Sequence, residues 1–298
     1  MKVSICTPTY NRAHCLEKLY NSLVNQTSKD FEWLIIDDGS KDETREKVEY
    51  FINQKKIDVK YFYKNNGGKH TAINEALKYA TGEYFFIVDS DDYLKSMAVS
   101  FIIDKFNGLS SDFAGIAFLK EFENGNLVGT TFKGNYLDAT SLERSKFKIQ
   151  GDKAEVFFTE LLRKYPFPVF ENEKFLTEAI VWNRIAHDGY KIRWYNESIY
   201  VCQYQTDGLS MGVNYLKNFE GYTVFIKELL SYKSSCLTDK IKYTGVYANT
   251  ARKANIKDQI SCKRINCSLV FYKFCRLLYS VKKIIIKDKR EKELNLKW

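Results

Sequence analysis

The chain has little of what punctuates or crosslinks a polypeptide. Its 298 residues hold only three prolines, Pro8, Pro166 and Pro168, and three histidines. No Gly/Ser-rich stretch separates one part from another. That excludes beads on a flexible string and predicts one continuous globular body with a C-terminal extension. The seven cysteines are odd in number, irregularly spaced and without a CxxC pair. This argues against a disulfide framework or a thiolate zinc site and for a reducing compartment. No run of about 18 uncharged residues occurs, so no membrane-spanning helix is expected. No signal or transit peptide is expected ahead of MKVSICTPTYNR, which alternates like a strand and then turns polar.

Aromatic residues are plentiful, with 21 Phe and 21 Tyr in a chain that is 45% hydrophobic, enough for a substantial core. Positive charge is concentrated rather than spread. Residues 251–298 carry 14 Lys/Arg against 4 Asp/Glu, a balance of +10, whereas the whole chain is +9 and residues 1–250 therefore sum to −1. A protein that grips duplex nucleic acid carries its charge on the folded face. Here it sits on an appendage, and no nucleic-acid partner is expected.

Strand and helix signals alternate through the first part of the chain. KVSIC (2–6) reads as a short buried strand. A helix is expected at about 13–26, with Leu16, Leu19, Tyr20, Leu23 and Val24 on one face. FEWLIIDDGS is an apolar strand ending in Asp37 and Asp38. Ser40 or Asp42 can cap a helix at about 42–54. DVKYFY (58–63) gives a third strand, GGKH leads into a helix at 70–80, and EYFFIVDSDD is a fourth strand, again ending in aspartates. Such alternation predicts an α/β fold with a mostly parallel central sheet and helices on both faces. Ligands of such sheets bind at the carboxyl ends of the strands, where both acidic clusters fall. Further on, strands are expected at 113–119 and 126–131, helices at 153–164 and 176–187, and short strands at 190–195 and 198–204. Residues 214 to about 255 read as helical.

Three segments carry chemistry. Asp89-Ser90-Asp91-Asp92 offers hard oxygen ligands at a strand end, suited to Mg²⁺ or Mn²⁺ sharing a diphosphate. As an isolated motif it reads more simply as a solvated turn or a helix cap, but here the apolar run YFFIV feeds straight into it. Asp38 in DDGS can accept from a base imide or ribose hydroxyls, or it can simply cap a helix. In NNGGKHTAIN (65–74), Gly67 and Gly68 permit close backbone approach, the helix start that follows favours an anion, and Lys69 adds positive charge. His70 reads more simply as part of the turn.

CTPTYNR, LIIDDGSKDET, NNGGKHTAIN and FFIVDSDD, in that order over residues 6–92, resemble the nucleotide-binding half of the family 2 glycosyltransferases, which have the GT-A fold. The likeness covers roughly the first two-thirds of the chain and fades after about residue 212. It implies a GT-A catalytic domain over 1–212 (a nucleotide-sugar half, 1–110, and an acceptor half, 111–212), followed by a helical extension over 213–298. It implies an inverting, metal-dependent transferase that moves sugar from a nucleotide diphosphate, UDP being favoured, to a hydroxyl of a glycan or lipid-linked saccharide during surface polysaccharide synthesis. The alternative is a GT-A-like module that binds nucleotide sugar without turnover.

The resemblance also implies roles. Pro8, Tyr10 and Asp38 would line the base pocket. Asp89 would hold the ribose and metal shell, with Ser90 beside it, and Asp91 would ligate Mn²⁺ or Mg²⁺ directly. Lys69 and Asn74 would flank the donor. In EKFLTEAIVWNRI (173–185), Glu178 would be the general base, with Glu173 as substitute. GDKAEVF (151–157) resembles an acceptor-side segment whose polar residues are Asp152 and Lys153. YQTDGLS (204–210) resembles a loop over the diphosphate, and Asp207 would give a distal metal contact. Trp182 and Trp194 are candidate sugar platforms, although core packing is the commoner fate of such side chains.

The tail can form one helix over 264–287, with Cys267, Val270, Phe271, Phe274, Leu278, Val281 and Ile285 on one face and Lys273, Arg276, Lys283 and Lys287 opposite. That profile fits a helix packed on the catalytic domain with a solvated basic side, but an in-plane helix on an anionic leaflet is favoured, since a lipid-linked acceptor would place the substrate there. It implies a cytoplasmic protein held peripherally at the inner face of the cell membrane.

Overall fold

Apolar runs long enough for strands alternate with helix-period segments along the N-terminal part, and the chain folds accordingly. The computed structural model describes residues 1–203 and 215–281, in two compact units, Met1–Val213 and Asn214–Trp298. The first opens with β1 (Val3–Thr9), α1 (Ala13–Val24), β2 (Phe31–Asp37), α2 (Thr44–Gln54), β3 (Asp58–Tyr63), α3 (Lys69–Tyr79) and β4 (Tyr84–Ile87). β5 (Tyr93–Leu94), α4 (Ala98–Phe106), β6 (Phe113–Phe122), β7 (Tyr136–Ala139), β8 (Lys153–Phe158), α5 (Thr159–Arg163), α6 (Ala179–His187) and β9 (Lys191–Cys202) follow.

Among the described residues the strands form one nine-stranded sheet in the order β3-β2-β1-β4-β8-β6-β9-β5, with β7 also on β9. β3, β2, β1 and β4 run parallel. β8 enters antiparallel between β4 and β6, while β6 and β9 are parallel. The sheet is thus parallel over β3-β2-β1-β4 and mixed from β8 onward. Every residue of β2 is buried, as expected of a strand covered on both faces. On one face Phe31, Trp33 and Ile35 share a core with Leu16, Leu19 and Leu23 of α1, Val48 and Phe51 of α2, and Val99 and Ile102 of α4. Alternation turns Leu34 and Ile36 to the other face, and α3 packs on β2 and β1.

Three local expectations are corrected. Residues 153–158 form β8, not the start of a helix. KAEVFF has helix-compatible spacing, but Phe157 pairs with Phe85 of β4 and Gly115 of β6, a non-local pairing that outweighs propensity. Residues 126–131 make only an isolated bridge, Glu121 with Leu127, and the β9 edge is taken by β7 instead. The segments at 190–195 and 198–204 are one strand through Cys202, with irregular register against β6 between Trp194 and Ser198.

The second unit contains α7 (Phe219–Ser231), α8 (Leu237–Lys253), α9 (Asp258–Arg264) and α10, which starts at 269 and is described to 281. The tail helix expected over 264–287 is therefore broken, because α9 ends at Arg264 and a turn precedes α10. Phe219 stacks on Tyr247 at 5.3 Å, and Gly245 brings α8 against α10, since a β-carbon there would lie 2.7 Å from the Cys275 carbonyl oxygen. Lys283, Ile285 and Lys287 lie outside the described residues.

Candidate active site

The carboxyl ends of β1, β2 and β4 form the rim of the sheet, and short side chains sew the loops leaving it together. Asn11, in the left-handed region at φ 53°, donates its backbone N–H to Ser40 Oγ at 2.8 Å and accepts from Lys41 N–H through Oδ1 at 2.8 Å. Asp42 accepts the Ala13 N–H at 3.1 Å, so the start of α1 is satisfied by the loop after β2. Asp37 accepts from Ser40 N–H and from Tyr61 Oη.

Asp38 is buried and fixes the glycine loop. Its Oδ1 accepts from Lys64 Nζ at 2.6 Å and Gly67 N–H at 2.9 Å, and its Oδ2 accepts from Gly68 N–H at 2.6 Å. Gly68, at φ 92°, tolerates no side chain, because a β-carbon would lie 2.0 Å from the Lys174 carbonyl oxygen. This close approach carries the segment leading to Glu178 over the start of α3.

Lys69, the first residue of α3, joins the two acidic groups. Its ammonium lies 2.6 Å from Asp89 Oδ1 and 2.8 Å from Glu178 Oε1. Burial alone would lower the lysine, but the two carboxylates outweigh it and hold the ammonium well above its usual range. Burial pushes Asp89 up, and Lys69 and then Lys120 pull it below the usual carboxylate range. Asp91 is raised, first by burial and then by Asp89 beside it. Its carboxylate makes no ion pair among the described residues. Tyr10 is exposed, Pro8 and Asp91 are half-buried, and Ser90 is buried.

No group of three or more His, Cys, Asp or Glu side chains is arranged as a metal cage among the described residues. The donor set fits a hard cation of another kind. Mg²⁺-type sites commonly use one or two carboxylates and complete their shell with phosphate oxygens and water. Asp91, destabilised as an anion by burial and by its neighbour, is a ligand such a cation would favour.

Other expected site residues are placed differently. Asn74 donates to the Phe167 carbonyl at 2.8 Å and accepts the Phe167 N–H at 2.9 Å, so a donor contact from this amide would have to break one of these bonds. Lys153 is buried and points Nζ at the carbonyls of Val128, at 3.0 Å, and Gln150, at 2.7 Å, closing the 128–150 segment. Asp152 is exposed at the start of β8. Trp182 is 7% exposed and stacked on Phe157 at 4.2 Å, and Trp194 is buried with its indole N–H on the Ala139 carbonyl. Both tryptophans are packing residues in this structure. Glu173 is buried. Asp207 lies outside the described residues. Sequence reasoning missed Lys120 and Tyr200, which stand beside the acidic turn with no motif to mark them.

A strand-end acidic turn, a glycine loop opening a helix and a carboxylate brought to them by a lysine, all on the rim of an α/β sheet, define a nucleotide-sugar transferase site of the GT-A class. The sequence profile described as glycosyl transferase family 2 matches residues 4–165. The GalNAc(5)-diNAcBac-PP-undecaprenol beta-1,3-glucosyltransferase of Campylobacter jejuni is 30% identical over 283 residues, covering 88% of this chain and 86% of that protein. This chain belongs to glycosyl transferase family 2. Among solved structures, S. aureus TarS 1-349 in complex with UDP superposes with a TM-score of 0.63 at 25% identity, covering 85% of this chain and 72% of that one. The mannosyltransferase PcManGT of Pyrobaculum calidifontis, in complex with GDP-Man and Mn²⁺, shares the fold at a TM-score of 0.59 and 16% identity, over 96% of this chain and 85% of that one.

Proposed function

We propose that this glycosyltransferase moves a sugar from a UDP-sugar to a hydroxyl of a lipid-linked or polymeric glycan, with inversion and with a divalent cation. The observation that carries the reading is Lys69, whose single ammonium contacts both Asp89 of the acidic turn and Glu178 at the start of α6. The UDP-bound neighbour supports the nucleotide, and the undecaprenol-linked substrate named for the Campylobacter relative supports the acceptor class.

Asp91 and Asp89 would hold Mg²⁺ or Mn²⁺ through oxygen, and the cation would stabilise charge on the diphosphate. Pro8 and Tyr10 border the base, and Asp38 shapes the glycine loop beneath it. Lys69 holds Glu178 Oε1 in place, which leaves Oε2 to face the acceptor. That oxygen takes the acceptor hydroxyl's proton as its oxygen bonds to the anomeric carbon. The bond from that carbon to the diphosphate breaks on the opposite face, and its electron pair leaves with the nucleotide. Asp152 borders the acceptor side.

The test is transfer or hydrolysis of radiolabelled UDP-sugar with Mn²⁺ and with EDTA. Turnover that requires the cation is expected, equal turnover in EDTA would remove the metal, and nucleotide binding without any turnover would leave only a binding module.

We place the enzyme at the inner face of the membrane through its tail. Within α10, Tyr272 and Cys275 are buried, whereas Val270, Phe274, Leu277, Leu278 and Val281 are exposed, Val270 at 82%. This apolar row, in a region of +10 net charge, fits an anionic leaflet. No helix among the described residues is long and apolar enough to cross a membrane. The chain should sediment with phosphatidylglycerol vesicles and not with phosphatidylcholine, and Phe274→Asp should weaken that binding. Indifference to lipid charge would refute the placement.

A further inference from the structure

We propose that Tyr200 and Lys120 are positioning residues for the acidic turn, clamping its backbone and field so that Asp91 is presented to the cation. The inference rests on the metal-dependent reading above. Tyr200 lies in β9 within the hydrophobic core and is fully buried. Phenylalanine would satisfy that packing, so the hydroxyl needs a separate reason. It uses both its functions on one four-residue turn: it accepts from the Asp89 N–H at 3.0 Å and donates to Asp92 Oδ2 at 2.7 Å. The other oxygen of Asp92 accepts the Gln203 N–H at 2.8 Å, and the Asp92 N–H closes onto the Asp89 carbonyl at 3.2 Å. Both ends of the turn are therefore tied to β9 while Ser90 and Asp91 form its apex.

Lys120 works from beneath. Only 8% exposed, it makes no ion pair within 4 Å among the described residues; its ammonium rests 4.1 Å from the centroid of the Tyr200 ring. Burial opposes its charge, and Asp89, with Asp152 and Asp92 behind it, keeps the ammonium charged. A fixed positive charge there lets the acids of the turn stand close together without splaying apart. Tyr200 and Lys120 occupy paired positions on β9 and β6, so neither can shift without the other.

The test is UDP affinity by calorimetry, with Mn²⁺ and with EDTA, alongside thermal stability. Tyr200→Phe keeps the ring and removes one oxygen. It should weaken UDP binding in Mn²⁺ by about tenfold and leave binding in EDTA within about twofold. Lys120→Met should act in the same direction by about threefold and keeps the proposal testable if the first variant folds poorly. Unchanged affinity in Mn²⁺, or equal losses with and without the metal, would overturn the positioning role. If the unaltered protein binds UDP equally with Mn²⁺ and EDTA, the metal reading falls and this inference with it.

Discussion

On the β1–β4 side of the sheet, Asp37, Asp38 and Asp89 each have a donor in direct contact, supplied by the loop after β2, by the glycine loop before α3 or by Lys69. On the β6–β9 side, Lys120 and Glu155 are largely buried charges, and Arg144 stands 3.7 Å from the Glu155 carboxylate. The β1–β4 side is thus a preformed socket in which these three carboxylates are held before any ligand arrives. The β6–β9 side keeps charge buried at a cost in stability.

The contrast can be broken or sharpened by substitution. The largest effect is expected on the β1–β4 side. Asp91→Ala should lower cation-dependent turnover by about 10³-fold, roughly 4 kcal/mol of barrier, with an unchanged melting temperature. Retained turnover would show that the socket does not need that carboxylate. Gly68→Ala should destabilise the fold by about 3 kcal/mol in thermal or urea unfolding, because the new β-carbon meets the Lys174 carbonyl and the backbone is left-handed. A neutral result would mean that the segment over α3 yields easily.

The smallest effect lies on the β6–β9 side and should be stabilising. Burial raises the Glu155 carboxyl from its usual 4.5 to about 7, with Arg144 and Lys120 pulling it partly back. A carboxyl raised in the folded state binds more protons there than in the unfolded chain, so its contribution to stability is full below about pH 4.5 and is lost as pH climbs through about 7. Glu155→Gln should therefore stabilise the protein by about 1–2 kcal/mol at pH 8 and change little at pH 5. Equal melting shifts at both pH values would show that Glu155 is not a strained charge.

Legibility follows the same division. β3 was readable to the residue and the acidic rim was readable as a rim, because each strand, its acidic turn and the helix start after it lie together in sequence. β8 was not, since a segment with helix-like spacing became a strand through pairing with β4 and β6, far away in the chain. Asn74 was drawn to the donor by its place after the glycines, yet its amide serves Phe167, which sequence spacing could not reveal. Lys120 and Tyr200 stand alone in ordinary strands, and only the folded register brings them under the acidic turn.

The stitching of Asn11 to Ser40 and Lys41, and of Asp42 to Ala13, bears on any attempt to retool this enzyme. Loops that exchange side-chain bonds in both directions are inherited as a pair. A chimaera that imports the segment after β1 from a relative with another nucleotide preference must import the segment after β2 as well, or it will carry two halves of different clasps.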